Sequence, residues 1–248
     1  MKIGFFTDPH YAQLDKAGTR RPALSAEKLK RVCAVFEQEQ VDAIVCLGDW
    51  IQIRSSREEM TESLKTLSQI VRETARRMGV PALTCMGNHD REAFTREEFL
   101  ELSKLQVSPC ILEEETEHGL NRLILLDANY MRTGEPWPDH FEDWTETCVP
   151  EDQVLWLKEQ LQGARCLVAV HQVLDPDIGD NLDIPVNEGH IIENQAQIRR
   201  ILSESHNVEL VMQGHFHWGG EHTHDGIIYR TLEALCEEEK EPYYIAAL

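Results

Sequence analysis

Three short apolar runs constrain this chain more than any other feature. IGFFT at 3–7, DAIVCLGD at 42–49 and PALTCM at 81–86 each run into polar residues, and helical patterns separate them. Behind Ser25, a residue suited to cap a helix, Leu29, Val32, Cys33 and Phe36 recur at i, i+3, i+4 and i+7. Met60, Leu64, Leu67, Ile70 and Val71 line one side of a second helix expected over 57–78, stopped by Gly79 and Pro81. The path reads β-α-β-α-β. Strands joined in this way lie parallel, with helices packed on the sheet. Ligands of such sheets bind at the carboxyl ends of the strands, so the residues standing there decide the chemistry.

Thr95 and Glu98 have the spacing of a capping box, and Phe94 with Phe99 that of a hydrophobic staple, so another helix begins near 95. NRLILLDA, RCLVAV and VELVMQG read as further strands, EDQVLWLKEQL and NQAQIRRILSES as helices, and GIIYRTLEAL and EPYYIAAL as closing strands. The later half is strand-rich with short connections, which implies a mixed sheet or a second sheet packed on the first. No repeat, low-complexity tract or Gly/Ser linker interrupts the chain. Residues 1–248 are therefore expected to form one α/β (α+β) domain.

Charge and cysteine usage remove several classes. The net charge of −20 argues against a groove that tracks a nucleic-acid backbone. A small anionic substrate stays possible, because bound cations reverse the sign locally. The acidic runs EEETE at 113–117 and EEEKE at 237–241 read as solvated charge. Seven cysteines, without C-x-x-C spacing and partly inside apolar runs, read as buried reduced thiols. Nothing approaches 18 consecutive apolar residues, and Asp8 interrupts the first run too early for a signal peptide. The expectation is a cytoplasmic protein that starts at Met1.

The strand ends carry the informative residues. TDPH offers Asp8 and His10, LGDW offers Asp49, and MGNHD offers Asn88, His89 and Asp90. LVAV runs into His171, and VELVMQ into GHFH, with His215 and His217. Imidazole, carboxylate and carboxamide together suit a borderline divalent metal: Mn, Fe, Co, Ni or Zn. Seven donors exceed one tetrahedral ion but suit two ions that share a ligand. Two neighbouring cations repel, so an anion belongs between them, and Asp49 is the natural candidate. Gly48 allows the backbone to approach closely.

In this order, D-x-H, G-D, G-N-H-D, a single His and G-H-x-H, the chain resembles the calcineurin-like metallophosphoesterases from Asp8 to His217. The resemblance implies a four-layer α/β/β/α sandwich of two mixed sheets flanked by helices. It implies that Asp8, His10 and His217 hold one metal, that Asn88, His171 and His215 hold another, and that Asp49 bridges them. It places His89 near the leaving group, as hydrogen-bond donor or general acid, with Asp90 orienting it. The implied reaction is phosphoester hydrolysis by a water activated between the two ions, without a protein nucleophile.

A narrower likeness concerns the substrate. MQGHFHWGGEHTHDGIIYRTLEAL and the preceding NQAQIRRILSESHNVELVMQGH resemble the manganese-dependent ADP-ribose/CDP-alcohol diphosphatases, which favours Mn and a nucleotide-type diphosphate or diester. A general phosphomonoesterase or cyclic-nucleotide phosphodiesterase is the alternative; a nuclease, a protein phosphatase or a non-catalytic relative ranks lower. Arg91 is the candidate phosphate contact, Tyr11 and Trp50 the candidate base-stacking rings, and His222 and His224 candidates for substrate or metal. Trp218 is placed at the wall of the site, and WPDHFEDW at 137–144 either caps a pocket or packs on the core. His118, His140, His190 and His206 read as surface or loop histidines.

Overall fold

The computed structural model describes every residue except 54, 55, 181–185, 187, 238 and 239. The described strands form two sheets. In the first, β1 (Lys2–Phe6), β2 (Ala43–Cys46), β3 (Ala82–Thr84) and β4 (Gln106–Val107) are parallel neighbours. The second is built from β5 (Cys110–Thr116), β6 (Gly119–Leu125), β7 (Ala164–Val170), β8 (Val208–Gln213), β9 (Gly220–His224) and β10 (Ile227–Thr231). Its order is β5-β6-β7-β8-β10-β9, parallel in the middle and antiparallel at both edges. The last strand, β11 (Tyr244–Ala247), returns antiparallel to β1.

Side-chain alternation decides what each face packs on. Ile3, Phe5, Val45 and Leu83 face the second sheet and meet Leu123, Leu125, Leu167 and Met212. From the opposite face, Phe6, Ile44 and Cys46 pack on α1 (Ser25–Gln38) and α2 (Arg57–Met78) through Leu29, Phe36, Leu64 and Leu67. Behind the second sheet, Ile124, Val168 and Val211 pack on α5 (Glu151–Gln160) and α6 (Gln195–Ser205) through Val154, Leu157, Ile198 and Leu202. The result is a four-layer α/β/β/α sandwich. Each such buried aliphatic or aromatic side chain contributes about 1.5–3 kcal/mol, so the sheet-on-sheet contact is well supplied.

The local signals resolve in several ways. The helix expected over 57–78 spans those residues, with Ser56 and Glu59 forming a capping box and Gly79 in the left-handed conformation at its end. Thr95 and Glu98 cap α4 (Arg96–Ser103), and both staple phenylalanines are buried. Ser25 is not a cap. A 3-10 turn over Pro22–Leu24 runs directly into α1, which makes Ser25 its first residue. The closing run GIIYRTLEAL is strand only to Thr231. Leu232, Ala234 and Leu235 then donate their amides to carbonyls of Gln213, His217 and Thr7, so the segment crosses between the sheets. EEETE lies mostly in the edge strand β5, where carboxylates remain solvated and Glu113 pairs with Arg122. β9 and the short α3 (Asn88–Ala93) carry no apolar period that would announce them. Among the described residues, no helix is long and apolar enough to cross a membrane.

Candidate metal centre

The loops that leave β1, β2 and β3 meet those that leave β7 and β8 across the gap between the sheets. Backbone bonds set their relative height: Asp8 N donates to Gly48 O at 3.0 Å, His10 N to Asp49 O at 3.0 Å, and Gly214 N to His171 O at 3.0 Å. Asp8, His10, Asp49 and His215 all have positive φ, at 49°, 39°, 54° and 66°. Non-glycine residues held there cost about 1–3 kcal/mol each, and such strain concentrates at functional sites. Two glycines allow the convergence. A Cβ on Gly48, whose φ is +118°, would lie 2.7 Å from His171 Nδ1, and one on Gly214 would lie 2.3 Å from Thr7 Oγ1.

The seven side chains form one continuous set of donors. His10 Nε2 lies 3.5 Å from Asp8 Oδ1, 3.4 Å from Asp49 Oδ2 and 3.1 Å from His217 Nε2. His217 Nε2 is 3.4 Å from Asp8 Oδ1. On the other side of Asp49, His171 Nε2 is 3.5 Å from the same Oδ2 and 3.2 Å from Asn88 Oδ1. Donor atoms of Asp49, His171 and His215 also lie within 4.8 Å of one another. Metal bonds of about 2.1 Å at right or tetrahedral angles separate neighbouring donors by about 3.0–3.4 Å, so these spacings fit ions. Asp8 Oδ1 and Asn88 Nδ2 are buried without a hydrogen-bond partner. A buried carboxylate oxygen with no donor is costly unless a cation meets it.

Contacts on the far ring atoms orient the imidazoles. His171 Nδ1 lies 2.9 Å from Leu47 O, which leaves Nε2 for the site. His215 Nε2 lies 3.0 Å from Gly189 O, which leaves Nδ1. Fixing the tautomer through the second nitrogen is the usual way a ligating histidine is held.

Electrostatics keep the carboxylates ionised. Burial acts to raise Asp8, but His10 and His217 outweigh it and hold the group well below its ordinary value. Asp49 is likewise held low: burial opposes ionisation, and His171 and His89 overcome it. Without ions, burial and then Arg20 push His10 down to about 3, and burial pushes His89 down to about 4. His171 moves the other way, to about 9: burial opposes the rise, and Asp49 outweighs it.

His89 sits at the rim. Its Nε2 is 4.0 Å from Asp49 Oδ2, and its ring meets His10 edge-on at 4.8 Å. It lines both the metal pocket and an adjoining cavity of about 720 Å³, as do Arg20 and Trp144. Leu14, Lys16, Ile53 and Gln52 complete much of that cavity wall. Arg20 is the one lysine or arginine among the described residues that line the metal pocket; its Nη1 lies 3.1 Å from Gln52 Oε1 and 3.3 Å from His10 Nδ1.

Several sequence-based assignments change. Asp90 is engaged by backbone amides: Oδ1 accepts from Trp50 N at 2.9 Å and Oδ2 from Gly87 N at 3.0 Å, while His89 Nδ1 has no hydrogen-bond partner. The Asp90 carboxylate ties the G-N-H-D turn to the loop after β2. Burial, then Asp49, push its pKa well up. Arg91 is buried and donates to the carbonyls of Phe94 and Trp137, so it anchors the 137–144 loop and not a phosphate. Trp50 is fully buried, its Nε1 bonded to Thr84 Oγ1, and Tyr11 lies in the same core, so neither offers a face to a base. His222 and His224 leave the pocket and bond Asp175 at 2.6 and 2.9 Å.

The 137–144 loop divides. Trp137 packs inside, whereas Trp144 stands over the site, its ring 5.6 Å from that of His215. Trp218, half exposed, lines the metal pocket as expected. His190 also lines it, its ring 5.3 Å from that of His215, and is not a mere loop histidine. His118, His140 and His206 are exposed. Arg20, His190 and Glu237 carry no motif of their own, and only their folded position reveals them; for Trp144 the capping alternative is the one its position favours.

Known proteins agree with this fold. The family described as calcineurin-like phosphoesterase matches residues 1–219. Among solved structures, a dimetal phosphatase from Danio rerio is similar at 18% identity and TM-score 0.77, covering 100% of this chain and 92% of that one. TT1561 of Thermus thermophilus is similar at 12% identity and TM-score 0.56, over 95% of this chain and 90% of that one. Phosphopantetheinyl hydrolase from Mycobacterium tuberculosis is similar at 12% identity and TM-score 0.53, over 94% and 90%. No curated protein matches. A family match over most of the chain, with the family's motifs converging on one buried His/Asp cleft, shows that this chain belongs to the calcineurin-like phosphoesterases.

Proposed function

We propose that the chain hydrolyses a phosphodiester or nucleotide-type diphosphate with two divalent ions, manganese being the first choice. Asp8, His10 and His217 would hold one ion, Asn88, His171 and His215 the other, and Asp49 would bridge. The observation that carries this is the position of Asp49 Oδ2, 3.4 Å from His10 Nε2 and 3.5 Å from His171 Nε2. When bound, such ions supply an activated water and neutralise phosphoryl oxygens. The protein's own contribution is placement. The strained loops hold the donors at these spacings. His89 faces the adjoining cavity and, neutral at pH 7, offers an N–H to a departing oxygen.

The substrate class rests on that cavity. At about 720 Å³ it has room for a substituent well beyond a phosphate, and it mixes apolar Leu14 and Ile53 with cationic Lys16 and Arg20. An amphipathic leaving group with its own negative charge suits this lining. The likeness of residues 194–235 to manganese-dependent nucleotide diphosphatases supports the same choice. The test is a metal-by-substrate panel. Metal-free protein is reloaded with Mn, Fe, Co, Ni, Zn or Mg and offered ADP-ribose, CDP-choline, cyclic AMP, bis-nitrophenyl phosphate and nitrophenyl phosphate. Preference for the first two with Mn is expected. Turnover confined to monoesters would replace the reading with a general phosphatase, and turnover confined to cyclic AMP with a cyclic-nucleotide phosphodiesterase.

A further inference from the structure

One carboxylate behind the cleft has no part in the ligand set. Glu237 opens the acidic run 237–241, whose composition reads as solvated charge. Its side chain is only 28% exposed, and Oε1 lies 3.1 Å from His217 Nδ1. An ionised carboxylate only accepts, so this contact requires a proton on Nδ1 and makes Nε2 the ring atom left to meet an ion. That Nε2 faces His10 and Asp8, the other two residues assigned to the first ion. The neighbouring Cys236 Sγ is 3.9 Å from the same Nδ1 and is the weaker partner.

Glu237 is itself firmly held. Oε1 also accepts from Thr19 Oγ1 at 3.2 Å, its carbonyl accepts from Lys28 Nζ, and its backbone bridges to Arg20. The stretch before it is stitched to both sides of the cleft, through Ala234 N to His217 O and Cys236 N to Asp8 O. One side chain thus joins a ligand histidine to the tight hairpin in which Ala17 and Arg20 exchange backbone hydrogen bonds.

We infer that Glu237 is a positioning residue: it fixes the tautomer and ring orientation of His217 for the first ion, and through Thr19 it sets the hairpin that presents Arg20. The inference rests on the two-ion reading above. Carboxylates behind ligating histidines are worth about 10–100-fold in metal affinity. The effect of Glu237 falls on one ion, because His171 and His215 donate from their second ring nitrogens to backbone carbonyls.

The test is stepwise Mn²⁺ titration of metal-free full-length protein, followed by electron paramagnetic resonance and calorimetry, on wild type, Glu237→Ala and Glu237→Gln. In Glu237→Ala, one site is expected to weaken at least tenfold while the other changes less than threefold. Glu237→Gln, which keeps an accepting oxygen without the charge, should fall between. Two unchanged sites in Glu237→Ala, or two sites weakened equally together with a lowered Tm, would overturn the inference. Wild type that takes up fewer than two ions would overturn the two-ion reading itself, and with it this role.

Discussion

Among the described residues, two clusters of histidine and aspartate stand out, and they differ in spacing. In the cleft, donors stand 3.1–3.5 Å apart and Asp8 Oδ1 has no hydrogen-bond partner. Around Asp175, His222 Nδ1 and His224 Nε2 approach to 2.6 and 2.9 Å, and the Asp177 amide adds a third bond at 3.0 Å. Both contain residue types that bind metals, and donor atoms of Asp175, Asp177 and His224 also fall within 4.8 Å of one another. The first set, however, leaves a buried carboxylate oxygen without a hydrogen bond. The second set is complete, each Asp175 oxygen already accepting. Residue type nominates a metal site; unsatisfied, evenly spaced donors favour one over a closed hydrogen-bond cluster.

The strongest way to break the comparison is Asp49→Ala. It removes the side chain that faces both halves of the cleft. Both ions should be lost from the purified protein, measured by elemental analysis, and activity should fall by more than about 10³-fold. A variant that retained two ions and its rate would remove Asp49 from the bridge.

His89→Ala separates holding ions from using them. Metal content should stay at the wild-type value while the rate falls by about 10²–10⁴-fold. The loss should be greatest for poor leaving groups and least for nitrophenolate. An equal loss on every leaving group would deny His89 a role at the departing oxygen.

How much of this was legible beforehand follows the same division. The strand ends, the helices over 25–38 and 57–78, and the cap at Thr95 follow from local period and capping chemistry, which act within a few residues. The seven donors could be named because each stands at the end of an apolar strand. Glu237 and Arg20 could not, because each reaches the site through contacts outside any motif, and Trp144 lies in a stretch whose composition leaves capping and packing equally open. Glu237 meets His217 across β9 and β10, and Trp144 arrives on a loop that Arg91 anchors from α3. Tyr11 and Trp50 show the converse: they are next to metal motifs in sequence, yet strand-end geometry turns them into the core.

Asp175→Ala tests the complete cluster. Two partly buried imidazoles would lose their acceptor, and stability should drop by about 2–3 kcal/mol, read from urea unfolding. Ion content should remain two per chain. Loss of a third ion in elemental analysis would show that the short hydrogen bonds around Asp175 hide a metal site, and the distinction drawn from spacing would fail.

Removing the ions should expose the cleft's own titration. In metal-free protein His171 has its pKa raised to about 9. A group whose folded pKa exceeds its unfolded value of about 6.5 stabilises the fold fully below that value. This contribution disappears as pH rises through about 9. The metal-free protein should therefore lose Tm between about pH 7 and about pH 9.5. Mn-loaded protein should not follow that loss, because the ions replace the proton at His171.

The smallest effect expected is at the cleft mouth. Trp144 offers a large aromatic face beside the metal pocket and its neighbouring cavity, whereas Trp50 is sealed in the core. Trp144→Ala should raise KM for nucleotide-type substrates about 5–10-fold, the loss of roughly 1–1.5 kcal/mol of stacking. Nitrophenyl phosphate, too short to reach the cavity wall, should change by less than twofold. Equal KM changes on both substrates would mean that Trp144 supports the His215 ring rather than a base, and the adjoining cavity would lose its aromatic wall as a specificity element.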